Sequence, residues 1–278
     1  MMSLRLSIFF LCVCILPVSF FAQTKPAEKF PKVPIMGSEM RTIKSADTGR
    51  EYDLYIHLPN APVAGKKYPV VFVLDGQWDF KLMDSVYGGL YYDRFVPEMI
   101  IVGITYSGES PDHGSLRAMD MTPAARKDIP GSGDASKFLA FLKKDVIPFV
   151  EKNYNTDPAK RVLLGNSYGG LFTLYAMFTE PGLFMGYMAG SPAVSYDNNF
   201  SFTQEKNFFE AHKELPVKLY IFVGGMEILT DPVKNFIQVM NSRSYTGLKM
   251  ETRVIESERH ASNKPEGFNR GLRFIFSN

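Results

Sequence analysis

The sequence predicts an α/β domain: a mostly parallel central sheet with helices on both faces and an N-terminal antiparallel hairpin. Three observations support it. Continuous apolar runs recur along the chain, among them YPVVFVLDG, PEMIIVGITY, RVLLG, GYMAG and VKLYIFVGG, and such runs suit strands buried on both faces. Between them lie segments with helical apolar spacing, and strands alternating with helices build parallel sheets. With 278 residues, 45% of them hydrophobic, the chain is long enough for one large core.

The first element lies outside that domain. Arg5 precedes an apolar stretch from Ile8 to Ala22, which gives way to polar, Lys-containing sequence, the layout of a secretory signal peptide. At about 15 residues this stretch is shorter than the roughly 20 that a bilayer requires. The expected organisation is a signal peptide over 1–22, a linker over 23–38 and the folded domain over 39–278. Such a chain is periplasmic or secreted, with no stable membrane insertion once the leader is removed. Both cysteines, Cys12 and Cys14, fall in the leader, so the mature chain is expected to carry no disulfide.

From Glu39, EMRTIKSADTGREYDLYIHLP places two β-prone runs around Asp47-Thr48-Gly49, the chemistry of a tight hairpin turn. YPVVFVLDG and Met99 to Tyr106 come next as central strands. Ser107 to Lys137 is rich in Gly, Pro, Ser, Asp and Met without a sustained period, which predicts a long functional loop. SKFLAFLKKDVIPFVEKNY spaces Phe138, Phe141, Leu142, Val146, Phe149 and Val150 at helical intervals, with Pro148 kinking or restarting the helix. RVLLGNSYGGLFTLYAMF reads as a short strand, a glycine-bounded turn and an apolar helix. GYMAGSPAV, VKLYIFVGG and KMETRVIE supply further strands, and PEGFNRGLRFIF a closing amphipathic helix with Phe268, Leu272, Ile275 and Phe276 inward.

Gly165-Asn166-Ser167-Tyr168-Gly169 matches G-x-S-x-G between a buried strand and a helix. A nucleophile on such an elbow needs strained backbone angles and close strand–helix approach, which the flanking glycines permit. A serine hydroxyl also needs a base. Only His212 and His260 lie downstream of Ser167, and His260 comes directly after the last strand, at the edge where open α/β sheets bind ligands. His212 lies at a polar helix end, His57 in a hairpin strand and His113 in the irregular loop. The carboxylate that orients the base is expected after the preceding strand, where Glu227 and Asp231 both stand; Glu227 is nearer the strand end, and Asp231 also fits a helix N-cap ahead of Pro232. The oxyanion hole is expected from the backbone N–H of Tyr168 with that of Gly76 or Gln77. Trp78 beside that turn either lines the acyl pocket or packs in the core.

These residues resemble the esterase D/putative esterase family of α/β-hydrolases, which includes siderophore, feruloyl and acetylxylan esterases. The resemblance runs from about Glu39 to Phe276 on YPVVFVLDGQW, RAMDMTP at Arg117 to Pro123, FLKKDVIPFVEKNYNTDPAKRVLLGNSYGG, GGME at Gly224 to Glu227 and RGLRFIF. It implies the α/β-hydrolase fold, Ser167 as nucleophile, Glu227 as acid and His260 as base. Arg117 and Asp120 match the family's R-x-x-D-x-T-P segment, so Arg117 either holds an acidic or catecholate substrate or pairs with Asp120. Asn166 and Tyr168 depart from the residues common around the family's serine, which bears on pocket shape.

The expected activity is that of a secreted serine carboxylic-ester hydrolase, with a siderophore ester or a feruloyl or acetyl polysaccharide ester as substrate. An acyltransferase with the same triad and a non-catalytic glycan- or siderophore-binding module are the alternatives. The expected partner is a small-molecule or glycan ester. No cofactor or metal is expected, because metal-ligand spacing is absent and the G-x-G at Gly131 has no strand before it. Lys+Arg 31 against Asp+Glu 29, with the basic residues scattered, gives no nucleic-acid footprint.

Overall fold

The computed structural model describes residues 33–277; the expected signal peptide, both cysteines and most of the expected linker lie outside them. β1 (Ser38–Lys44) and β2 (Glu51–His57) pair antiparallel, from Ser38 opposite His57 to Lys44 opposite Glu51. Their connection is longer than the tight turn expected at Asp47-Thr48-Gly49. The Ser45 N–H donates to the Arg50 carbonyl at 2.9 Å and the Gly49 N–H to the Ser45 carbonyl at 3.1 Å, and Gly49 supplies the required φ of 71°.

Six strands continue the sheet: β3 (Tyr68–Val73), β4 (Ile100–Tyr106), β5 (Thr156–Asn166), β6 (Gly186–Gly190), β7 (Lys218–Gly224) and β8 (Lys249–Ile255). They are parallel to one another in an 8-stranded sheet of order β1-β2-β4-β3-β5-β6-β7-β8, with β2 antiparallel to β4. The α/β-hydrolase arrangement expected from the sequence is what this sheet forms. β5 is longer than the short strand expected, because its start at Thr156 pairs with Tyr68 across an irregularity in register.

The helices are α1 (Gly76–Tyr92), α2 (His113–Met121), α3 (Ala135–Phe141), α4 (Ile147–Asn153), α5 (Tyr168–Thr179), α6 (Tyr196–Ala211), α7 (Thr230–Ser242) and α8 (Lys264–Phe276). Successive strand residues point to opposite faces, and the core divides accordingly. Val70 and Phe72 of β3 join Phe138, Phe172 and Phe236 of α3, α5 and α7 on one face. Val71 and Val73 join Phe80 of α1 and Phe268, Leu272 and Ile275 of α8 on the other. Among the described residues no helix is long and apolar enough to cross a membrane.

One local expectation is corrected and another is narrowed. The stretch from Ser107 to Lys137 is not irregular throughout, since it contains α2. That helix buries only Ala118, Asp120 and Met121, too few to print a sustained apolar period, and its start is fixed by the Asp112 carboxylate accepting from the Ser115 N–H at 3.1 Å. Pro148 marks where the helical pattern restarts: Leu142–Val146 form a π turn between α3 and α4, and the proline falls in the first turn of α4, where the wider π turn accommodates its ring and missing N–H.

The position that constrains the fold most tightly is Gly165, at the end of β5. A β-carbon there would lie 2.3 Å from the Gly169 carbonyl oxygen, a backbone atom of α5 that cannot move aside. Gly165→Ala is therefore expected to destabilise the protein by about 3 kcal/mol or more, read as a lowered midpoint in urea unfolding; an unchanged midpoint would show that the crossing has slack.

Candidate active site

Parallel strands end on one edge of the sheet, so the segments that succeed them gather there. Asp75 and Gly76 come after β3, Ser167 after β5 and Ser191 after β6, while Glu227 lies just beyond β7 and His260 between β8 and α8. All of the sequence-predicted site residues except Arg117 belong to these strand-end segments or to the helix starts beyond them. Arg117 reaches the same edge from α2.

Ser167 sits at φ 62°, ψ −117°, a region that costs a non-glycine residue of order 1–3 kcal/mol. Its N–H donates to the Gly190 carbonyl at 2.9 Å, and its own carbonyl accepts from Leu171 at 2.9 Å. The first bonded amide inside α5 is thus that of Leu171, which leaves the Tyr168 N–H at the helix N-terminus facing the edge. α1 is built the same way: Asp75 is left-handed at φ 54°, and its carbonyl accepts from Trp78 and Asp79, so the Gly76 and Gln77 amides also have no helical acceptor. Two helix N-termini on adjacent strands supply donors and positive dipole ends to one spot.

Behind that spot lies an ion pair that differs from the one expected. Arg117 does not pair with Asp120. Its Nε and Nη2 donate to the Asp75 carboxylate at 2.9 and 2.7 Å, and Nη2 also reaches the Asn166 carbonyl at 3.3 Å. Asp120 is fully buried and taken by Arg50 and by the Tyr52 hydroxyl, the latter at 2.7 Å. Burial works against the Arg117 charge, but Asp75 outweighs it and raises the guanidinium's pKa. Arg117 therefore ties the residue before Gly76 to the residue before Ser167. Its guanidinium lies 5.6 Å from the Trp78 ring and 5.4 Å from the Tyr168 ring. Trp78 is 51% exposed, which rules out the core-packing reading.

On the other side, the His260 Nδ1 meets the Glu227 Oε2 at 2.5 Å. The Glu227 side chain is only 4% exposed while that of His260 is 44% exposed. Burial tends to raise the carboxyl's pKa, but hydrogen bonds from His260, Ser191 and the Gly224 N–H prevail and hold it below the usual carboxylate value. Asp231 lies in the first turn of α7, whose cap is Leu229, so it is neither the partner of His260 nor the N-cap. His212 is exposed at the end of α6, and the His57 Nδ1 pairs with Asp84 at 2.7 Å.

Sequence reasoning missed the residues that fix this arrangement. Ser191 and Asn263, both fully buried, bond Glu227, and Lys264 donates to the buried Asp79 at 2.7 Å, joining the first turn of α8 to α1. The available signal was position: each is a polar residue in a segment beyond the end of a parallel strand. Among the described residues no group of three His, Cys, Asp or Glu side chains could hold a metal ion.

A sequence profile described as Putative esterase matches residues 45–260. Ferri-bacillibactin esterase BesA of Bacillus subtilis (strain 168) is 28% identical over 260 residues, covering 86% of this chain and 90% of the relative. The Apo-salmochelin esterase of Escherichia coli O6:H1 is 30% identical over 159 residues, 54% of this chain and 49% of the relative. Among solved structures, the BES protein from Bacillus cereus superposes with a TM-score of 0.82 at 28% identity, covering 91% of this chain and 100% of that one.

Lys264 is the sole cation bonded to Asp79 among the described residues, and burial already raises the Asp79 carboxyl's pKa. Removing one partner of a buried pair costs about 3–5 kcal/mol, and Lys264→Met should cost that much at neutral pH. A carboxyl with a raised pKa favours the folded state when protonated, so this loss should shrink as pH falls. Urea unfolding at pH 7 and pH 4 reads both; an equal loss at the two values would show that Asp79 does not carry it.

Proposed function

The chain belongs to the Putative esterase family, and from that premise we propose that it is a secreted serine hydrolase that opens the ester bonds of a siderophore through an acyl-enzyme on Ser167. The observation that carries the mechanism is the short bond from His260 to a buried, ionised Glu227, on the same sheet edge as a strained serine elbow. The substrate class rests on the relatives, which are esterases of ferri-bacillibactin and apo-salmochelin. Export rests on the apolar segment Ile8 to Ala22.

In this mechanism the Glu227 carboxylate fixes the His260 tautomer with the proton on Nδ1, which leaves Nε2 free to accept. Ser167 Oγ attacks the ester carbonyl carbon as its proton passes to Nε2. The carbonyl oxygen takes up the negative charge, which the amides of Tyr168 and of Gly76 or Gln77 stabilise. Collapse of this tetrahedral species breaks the bond to the alkoxy oxygen, and the proton on Nε2 goes to that leaving group. Water then repeats the sequence on the acyl-enzyme: Nε2 takes its proton, its oxygen bonds the acyl carbon, and Ser167 leaves with the proton returned. The Arg117–Asp75 pair leaves Arg117 little free charge for an anionic substrate. Its aromatic neighbours Trp78 and Tyr168 suit a flat acyl group such as a catecholate or a ferulate.

Hydrolysis of a cyclic tris-catecholate triester, methyl ferulate and p-nitrophenyl butyrate is to be compared in the mature protein and in Ser167→Ala, with chromatography of the products. Opening of the triester, lost by at least about 10⁴-fold in the variant, is the expected result. Preference for methyl ferulate would reassign the substrate, and activity that survives in Ser167→Ala would remove the serine from the mechanism.

Glu227→Gln is expected to lower kcat by about 10⁴-fold with the fold intact. Because the Glu227 carboxyl is held below its usual value, its ionised form is fully present above the ordinary carboxylate range and is lost only as pH falls through the depressed value. The kcat/KM profile should therefore show no separate ionisation between about pH 4 and 5; a step there would mean that Glu227 titrates normally.

A further inference from the structure

A carboxylate in a catalytic triad has two oxygens, and only one serves the histidine. Here the other oxygen is fully engaged. Glu227 Oε1 accepts from the Ser191 hydroxyl at 2.6 Å, the Gly224 N–H at 2.7 Å and the Asn263 side-chain amide at 2.9 Å. The Asn263 amide also donates to the Ser191 Oγ at 2.8 Å. Proton inventory fixes each direction. An ionised carboxylate only accepts, so the Ser191 proton points to Glu227. The Ser191 oxygen must then accept, and only the NH₂ end of Asn263 can donate to both partners at once. An amide turned the other way would aim its oxygen at two acceptors.

On the reading that Glu227 is the triad acid, we propose that Ser191 and Asn263 are positioning residues of the proton relay: together they hold Glu227 by Oε1, so that Oε2 serves His260 alone.

The placement of both residues agrees with that role. Ser191 comes directly after β6, the strand between those of the serine and the acid, and it is held at φ 36°, a conformation that persists only where surroundings over-determine it. Its N–H donates to the Phe222 carbonyl at 2.7 Å, which ties it to β7. Asn263 is the cap of α8, three residues after His260, and its N–H donates to the Arg259 carbonyl at 3.2 Å. One side chain thus anchors the acid while its backbone anchors the loop that carries the base. Both residues are 0% exposed, so water does not substitute readily for a lost donor.

Among the described residues, the groups bonded to the Glu227 carboxylate are the titratable His260 from the loop and, from the other packed elements, neutral donors; Glu256, just beyond the end of β8, lies against neighbouring Gly225. Removing a donor makes the carboxylate bind protons more tightly. The apparent ionisation of the coupled Glu227–His260 pair then moves to higher pH. A purely structural anchor would lower stability without moving that ionisation.

The test uses Ser191→Ala, Asn263→Leu and Asn263→Asp in the full chain, each checked for a cooperative melt. Labelling of Ser167 by a fluorophosphonate in the wild-type protein comes first. No labelling would sink the triad reading itself, and this proposal with it. With labelling present, Asn263→Asp, which sets a second carboxylate against Glu227, is expected to lower kcat about 10- to 100-fold, to change KM by less than about twofold, and to move the acid limb of the kcat/KM profile to higher pH. Asn263→Leu and Ser191→Ala should move it the same way by less. Profiles that coincide with the wild type in folded variants, or equal effects of Asp and Leu at 263, would overturn the proposal. Should both Asn263 variants fail to fold, Ser191→Ala decides alone, since alanine meets the same backbone demand as serine.

Discussion

A missing methyl group at residue 165 permits the tightest approach of backbone to a glycine among the described residues. Because the Gly169 carbonyl occupies the space that a β-carbon would take, α5 can begin directly against the end of β5, with Ser167 at the turn between them. Ser167 turns the chain there at a strained φ of 62°. The Tyr168 amide has no helical acceptor, because the helix begins its bonding only at Leu171.

Two networks flank this elbow, and they use charge differently. On the α1 side, Arg117 and Asp75 neutralise each other bidentately and brace backbone on both sides of the amide donors. The pair's value is geometric, since the donors are dipoles whose aim must not drift. On the β7 and β8 side a single negative charge is kept, buried to 4% exposure, and surrounded by neutral donors. In the proposed mechanism that charge would stabilise the imidazolium of His260. Lys264 and Asp79 join the two sides through α8 and α1, so the donors and the base rest on one frame.

Strand identity was legible because strands buried on both faces must be apolar at every position; β3 and β4 are buried throughout. The serine elbow, His260 and Glu227 were legible as places in chain order, since parallel strands deliver their succeeding loops to one edge. Partnerships were not. Arg117 and Asp120 stand three residues apart on what proved to be a helix, and that nearness suggested a pair, but their true partners are Asp75 and Arg50. Contacts across tens of residues leave no trace in local spacing. Ser191 and Asn263 escaped notice for the same reason: neither type is rare after a strand or at a helix cap, and their common partner exists only once β6, β7 and β8 lie side by side. α2 escaped because its three buried positions, Ala118, Asp120 and Met121, fall within a single turn and one of them is charged, so no repeating apolar spacing shows.

The sheet ends in β1 on one side and β8 on the other, and an unpaired strand is a template on which a second molecule can add itself. β8 carries Lys249, Glu251 and Arg253 at its exposed positions, and β1 carries Arg41 and Lys44 at its own, beside a half-buried Glu39. Charges of this kind discourage edge-to-edge pairing. β8 also leads straight into the loop that holds His260. The strand whose charges oppose such pairing is thus also the one that delivers the His260 loop.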